Sequence, residues 1–291
     1  MEEGILIKFY GGFYYVKAGD QLWECSLRGR FRNQKQNILA GDRVLITFRD
    51  EKTGVIEKIL PRTSELNRPS VANVEQVLIV FALKNPDPDF LLLDRLLLIS
   101  RQKNLPAAVI FNKADLATND AATEILQTYQ KADYESILCS TKTGLGLADV
   151  GAVLKDKISV FTGPSGAGKS SLLNAVSSGL ALKTGEVSQK IGRGKHTTRH
   201  VELLPLDFGG WVADTPGFSV LETPSISREE LDDFFPEIGA YRGGCRFTSC
   251  VHHKEPDCAV KDAVAAGTID PGRYQRYLHF LQEVTEQERR Y

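Results

Sequence analysis

No apolar run in the chain approaches the ~20 residues that a membrane-spanning helix needs. The opening MEEGILIKFY places acidic residues first and has no long apolar core, so it does not read as a signal peptide. From these two absences we expect a cytoplasmic protein with no membrane partner. Charge of one sign is also missing. Lys and Arg number 36 against 37 Asp and Glu, for a net charge of -1. Any nucleic-acid surface must then be a local patch. Cysteine is scarce, five in 291 residues, which excludes a disulfide scaffold. Yet Cys245, Cys250 and Cys258 fall close together, and that clustering points to metal rather than redox pairing. The length suits about two or three domains.

The most informative stretch that is present is ISVFTGPSGAGKSS, residues 158–171. Ile158, Val160 and Phe161 read as a buried strand. Gly163-Pro164-Ser165-Gly166-Ala167-Gly168-Lys169-Ser170 fits the G-x4-G-K-[ST] phosphate loop. Leu172, Leu173 and Val176, with Ser171, then follow at helical spacing. Glycines let backbone N–H groups wrap a polyphosphate, and the helix start adds its positive dipole end. Lys169 can reach the β and γ phosphates, and Ser170 can place its hydroxyl on Mg²⁺.

Residues 1 to about 65 read as five short strands with turns at Gly11-Gly12, Gly19-Asp20, Gly41-Asp42 and Lys52-Thr53-Gly54. That spacing predicts a small β-barrel, an oligonucleotide/oligosaccharide-binding (OB) fold first and an SH3-like barrel second. Arg28, Arg30, Arg32 and Lys35 surround Phe31, a pattern that fits RNA binding and a solvated loop equally well. Pro61 to Pro69 reads as a linker. Residues 74–83 and 106–111 then read as continuous apolar strands of a parallel sheet, with a helix from Phe90 to Lys103 between them. A helix capped by Asn119, a strand at 136–139 and a short helix near 144–154 lead to the phosphate loop. Cys139 reads as a buried small apolar residue.

The strand at 106–111 ends in Asn112-Lys113-Ala114-Asp115. A carboxylate at Asp115 can accept two N–H donors from the edge of guanine at once, and adenine offers no such pair. Asn112 can bond the base, and the stem of Lys113 can lie along it. Ser140, Thr141 and Lys142 can contact the base through backbone, a weak motif alone. Residues 184–200 combine glycines, basic residues and hydroxyls, which predicts a mobile, phosphate-facing loop. Thr198, or Thr197 beside it, can complete a Mg²⁺ shell. Asp214-Thr-Pro-Gly217 is a D-x-x-G motif, with Asp214 on the magnesium side and the Gly217 N–H on the γ phosphate.

Past residue 221 the chain carries Cys245-x4-Cys250-x-His252-x5-Cys258, the ligand types of one closed tetrahedral zinc site. His253 is an alternative fourth ligand. Helices are expected at Ser227–Phe234, capped by Ser227, at Ala259–Ala266 and at Pro271–Arg289. A patch such as Arg242, Arg246 and Lys254 could meet RNA.

The base motif precedes the phosphate loop, and D-x-x-G comes last, whereas ordinary GTPases place the base motif after both. The chain therefore looks like a circularly permuted GTPase. All motifs stay at the carboxyl edge of one parallel sheet wherever the chain is cut. With the barrel before it and the Cys/His cluster after it, the whole chain resembles the RsgA (YjeQ/YloQ) family of ribosome small subunit-dependent GTPases. The resemblance implies an OB fold at 1–65, a permuted GTPase domain at 66–220 and a helical zinc domain at 221–291. It implies GTP and GDP as ligands, Mg²⁺, one structural Zn²⁺, and GTP hydrolysis in late maturation of the small ribosomal subunit, with its rRNA as partner and a monomeric chain. It favours His252 as the zinc ligand, and it makes His196 the group that orients the attacking water. Phe218, where many GTPases carry a water-positioning glutamine, cannot do so. The other role open to His196 is a docking contact. A nucleotide-gated RNA-binding switch and an ATPase remain the competing readings, and Asp115 argues against the second.

Overall fold

The computed structural model describes residues 1–29, 37–67, 69–180, 182, 201–214 and 226–289, with the side chain of Asp214 excepted. Strands β1 (Glu2–Tyr10), β2 (Phe13–Ala18), β3 (Gln21–Leu27), β4 (Arg43–Phe48) and β5 (Thr53–Ile59) close into a barrel in the order β1-β2-β3-β5-β4. The β3–β5 pair is parallel. This five-stranded closure is the OB arrangement rather than the SH3-like one. Leu6, Val16, Cys25, Val44, Ile46 and Ile56 fill its interior.

The expected linker at 61–69 is not a linker. Glu65–Asn67 (β6) and Ser70–Ala72 (β7) form an antiparallel hairpin, and Leu66 and Val71 are buried in the central core. Strands of three residues are too short for periodicity to show, and the flanking prolines read as loop. Arg62 ties the hairpin to the barrel. Its Nε donates to Asp42 Oδ1 at 2.7 Å and its Nη2 to Asp42 Oδ2 at 2.9 Å, and that carboxylate is buried. Gly41, at φ +91°, lies so close that a Cβ there would stand 2.0 Å from the Ala72 carbonyl oxygen.

The central sheet runs β10-β9-β8-β11-β13-β12. Its members are β8 (Gln76–Ala82), β9 (Ala107–Asn112), β10 (Glu135–Leu138), β11 (Ile158–Thr162), β12 (Glu202–Pro205) and β13 (Trp211–Asp214). All pairs are parallel except the β12–β13 edge. Alternation divides the strands between two cores. Val77, Ile79 and Phe81 pack under helices α1 (Phe90–Gln102) and α2 (Asn119–Lys131). Leu78 and Val80 pack under α3 (Leu147–Leu154) and α4 (Lys169–Val176). Asn119 is the first residue of α2 and not its cap; Thr118 holds the cap position without a side-chain bond. Cys139 is fully buried, and burial pushes its thiol up to about 11.

The C-terminal region contains α5 (Pro236–Gly239), α6 (Ala259–Ala265) and α7 (Pro271–Glu288). Ser227–Phe234 is not the expected helix. It is a turn, in which the Ser227 hydroxyl donates to Glu230 Oε2 at 2.7 Å, followed by a short 3-10 segment at Leu231–Phe234. Pro236 explains the ending, because it forces Phe235 to φ -120° and ψ 89°. The region is fastened to α1 by buried charge. Asp94 accepts from Arg273 Nη1 at 2.6 Å, Arg276 Nε at 2.5 Å and the Tyr129 hydroxyl at 2.9 Å. Buried ions are tolerable only when paired in this way. No described helix is long and apolar enough to cross a membrane.

Candidate nucleotide site and metal centre

Strand β11 runs straight into Gly163–Gly168, and α4 begins at Lys169 behind a left-handed Gly168 at φ 90°. A Cβ at Gly168 would meet Asn112 Nδ2 at 2.4 Å, so only glycine lets the loop approach the end of β9. Asn112 Nδ2 donates to the Ala167 carbonyl at 2.9 Å, while its Oδ1 is buried without a partner among the described residues. Lys113 Nζ donates to Gly166 O at 2.7 Å and to Asn85 O. Asp115 follows in a short turn, and its Oδ1 accepts from the Ser140 hydroxyl at 2.6 Å. Lys142 Nζ lies 3.9 Å from its Oδ2. The Ala114 N–H donates to Cys139 O at 3.0 Å, which joins the loops after β9 and β10.

Residues 112–115, 140–142 and 163–171 thus meet at one edge of the sheet. Lys169 Nζ donates to the carbonyls of Gly163 and Pro164 at 2.8 Å each, and burial pushes its ammonium below the usual lysine range. Such a cation gains when an anion replaces the neutral carbonyls. Asp214 ends β13, the parallel neighbour of β11. Phe31, His196, Thr197, Thr198, Gly217 and Phe218 lie outside the described residues.

The second cluster is built more tightly. The Nδ1 of His252 lies 3.5 Å from the Sγ of Cys245, Cys250 and Cys258 alike. Cys258 Sγ lies 3.8 Å from both other sulfurs. A tetrahedral ion with arms of ~2.3 Å to sulfur and ~2.0 Å to nitrogen requires edges of roughly 3.8 and 3.5 Å. The donor set therefore fits such an ion as it stands. His253 is exposed and outside the cluster. Sequence reasoning missed Asp232, whose buried Oδ2 stands 3.1 Å from His252 Nε2. In sequence it sat unremarked among Glu229, Glu230 and Asp233. It orients the ring and raises its basicity. Tyr274 donates to the His252 carbonyl at 2.6 Å and Tyr277 to that of Val251 at 3.1 Å, so α7 supports the loop. Of the expected basic patch, Arg242 is paired with Asp232 and Asp233, and Arg246 with Asp257.

Comparison with known proteins settles the family. The RsgA GTPase family model matches residues 59–224, and the RsgA N-terminal domain model matches residues 3–56. The chain belongs to the RsgA GTPase family. It is 53% identical over 287 residues to the Moorella thermoacetica protein named small ribosomal subunit biogenesis GTPase RsgA, covering 99% of each chain. The Geobacillus thermodenitrificans protein of the same name is 47% identical, with 100% of each chain covered. Among solved structures, Thermotoga maritima YjeQ superposes with a TM-score of 0.83 at 38% identity, over 98% of both chains. YloQ, described as a circularly permuted GTPase, superposes at 0.82 and 37% identity, over 99% of this chain and 96% of the other.

An RsgA GTPase implies a guanine nucleotide and Mg²⁺, and the residues present fit them. Asp115 and the orphaned Oδ1 of Asn112 supply acceptors beside the phosphate loop, and Lys169 supplies a desolvated cation within it. Bound Mg²⁺ would supply charge neutralisation at the phosphates. The residues named above would bind and orient the nucleotide.

Proposed function

We propose that this protein hydrolyses GTP to GDP and phosphate, is stimulated by the small ribosomal subunit, and acts in the late maturation of that subunit. One observation carries the reading: Asn112 and Lys113 are hydrogen-bonded to Ala167 and Gly166, so the base motif and the phosphate loop form one site. In this reading Asn112, Lys113, Asp115 and Ser140–Lys142 take the guanine. Gly163–Ser171 take the phosphates, with Gly217. Ser170, Asp214 and Thr198 serve Mg²⁺. Cys245, Cys250, His252 and Cys258 hold one structural Zn²⁺. The barrel (1–65) binds rRNA, 66–220 form the GTPase unit, 221–291 form the zinc-holding unit, and the chain works as a monomer in the cytoplasm.

The test is GTP turnover with and without purified small subunits. Many-fold stimulation supports the reading, and RNA affinity that follows the nucleotide without stimulated turnover would overturn it in favour of a binding switch. His196→Ala should keep nucleotide and subunit binding and lose most of the stimulated rate. Stimulation equal to the parent's would leave His196 a docking residue. Asp115→Asn should weaken GTP and gain xanthosine triphosphate, because an amide can donate to the base carbonyl. A variant that still prefers GTP as the parent does would remove Asp115 from base recognition.

A further inference from the structure

Strand β1 serves two cores at once. Leu6 points into the barrel, whereas Ile7, only 5% exposed, belongs to the core that holds Val201, Leu203 and Ala213 of the central domain. The β1–β2 ladder is interrupted between Leu6 and Lys8, where this change of allegiance falls. Lys8 Nζ then donates to Glu202 Oε1 at 2.6 Å. Glu202 begins β12 and stands directly across from Asp214 in the antiparallel register, as Leu203 stands across from Ala213.

The mechanics of this contact are defined on both sides. Behind it, β1 is held fast: the Leu6 N–H donates to Asp42 O at 2.9 Å and the Gly41 N–H to Leu6 O at 2.7 Å. Gly41 is pinned to the central domain through Asn73 Nδ2 to Gly41 O at 2.8 Å, and the Asp42 carboxylate is held by Arg62, which also donates to Glu65 of the β6–β7 hairpin. In front of it, β12 is a four-residue edge strand, paired within its sheet to β13 alone among the described residues. A short edge strand with one ladder has little of its own to fix its position. Ile7 and Lys8 supply the second side.

We propose that Lys8 and Glu202 are positioning residues of the nucleotide site: by clasping β12 to the barrel they hold β13 and Asp214 in place, so that a load on the barrel reaches the magnesium side of the site. The inference rests on the reading of Asp214 as a magnesium residue given above. It extends that reading from the site to the route by which a partner seated on the barrel can act on it. The two side chains are 37% and 41% exposed, so the effect is modest, about two- to fivefold for a pair of this kind.

The test uses the full-length, nucleotide-free chain and two readouts that do not depend on turnover. The first is hydrogen exchange of the amides at 202–204 and 211–214. The second is GDP affinity with and without Mg²⁺, whose ratio reports the metal side. Lys8→Glu and Glu202→Lys should each speed exchange about two- to fivefold and lower the Mg²⁺-dependent gain in affinity by a similar factor. The double swap K8E/E202K should restore both, since it rebuilds the pair with its charges exchanged. If Lys8→Glu fails to fold, Lys8→Gln carries the same expectation with a smaller effect. Single variants that match the parent, or a double swap that restores nothing, overturn the proposal. Asp214→Ala distinguishes the two levels. If it leaves the Mg²⁺-dependent gain intact, the magnesium reading falls and this inference with it. If it abolishes the gain while the Lys8 variants leave it unchanged, this inference alone falls.

Discussion

The metal cluster and the nucleotide site are built from similar groups in opposite ways. In the cluster, four ligand atoms converge within 4.8 Å of one another, and Cys250 and Cys258 are part of the C-terminal apolar core. The bonds they make within the chain are long ones to backbone, from the His252 N–H to Cys250 Sγ at 3.4 Å and from Cys245 Sγ to the Tyr241 carbonyl at 3.9 Å. Burial pushes the Cys250 thiol up to about 12, so binding an ion must displace its proton. In the nucleotide site most of the charged groups already have an internal partner, and Asn112 Oδ1 is the buried exception. Lys169 bonds to Gly163 and Pro164, Lys113 to Gly166, and Asp115 to Ser140. Those bonds can be exchanged for a ligand's without exposing a core. The difference teaches that an ion held by this cluster would belong to the fold while a nucleotide would be a guest, and each prediction below strains that contrast.

The largest effect should come from Cys250→Ala. Structural zinc contributes roughly 10–16 kcal/mol of apparent binding energy in small domains, more than an ordinary domain's whole stability. We expect about one Zn²⁺ per parent chain, and in the variant its loss together with rapid proteolysis of residues 226–289. Metal analysis that finds no zinc in protein purified without chelators would end the contrast. Lys169→Ala comes next. It should weaken GDP binding by about two orders of magnitude, as charge-assisted bonds at roughly 1.5–3 kcal/mol each are lost, while the melting temperature of the nucleotide-free chain barely moves. A large drop in that temperature would show that the nucleotide site is structural after all.

Much of this contrast was legible in the sequence, for particular reasons. The phosphate loop, the base motif and the Cys/His cluster are short, local patterns fixed by chemistry, and the strands before them are unbroken apolar runs. The barrel could be read because its turns are marked by glycine. What stayed hidden depends on distant partners. The hairpin at 65–72 draws its stability from Leu66 and Val71 meeting a core built by other segments. Asp232 touches His252 from 20 residues away, and Lys8 reaches Glu202 across 194. Arg242 looked like an RNA contact until the fold placed it against Asp232. Ion pairs of this kind leave no periodic trace along the chain.

Asp232→Ala should have an intermediate effect. Loss of the partner that orients a ligating histidine typically costs 10- to 100-fold in metal affinity. Competition with a chelator would measure it. Asp232→Asn should recover most of the loss, because its carbonyl oxygen can still accept from His252 Nε2–H. If Ala and Asn variants hold the metal as well as the parent, the aspartate serves Arg242 alone.

The smallest effect concerns the seam that joins the two regions. Arg95 on α1 donates to both carboxylate oxygens of Glu283 on α7, at 2.8 and 2.7 Å, and His279 Nε2 lies 3.1 Å from Oε1. Hydrogen bonding to Arg95, then its charge, holds the Glu283 carboxyl below the usual range. The sign follows from linkage: a carboxyl depressed in the folded state stabilises the fold above its unfolded value, near 4.3, and that contribution disappears as pH falls through the folded value. Glu283→Gln should therefore lower the melting temperature by a small amount at neutral pH, about the 1 kcal/mol of an ordinary surface ion pair or less. The gap between parent and variant should close as pH drops below about 4. Both proteins lose a bound metal alike under acid, so the difference between them isolates the pair. A gap that is constant with pH would assign the effect to packing of the side chain, and the seam between the regions would then owe nothing to this charge.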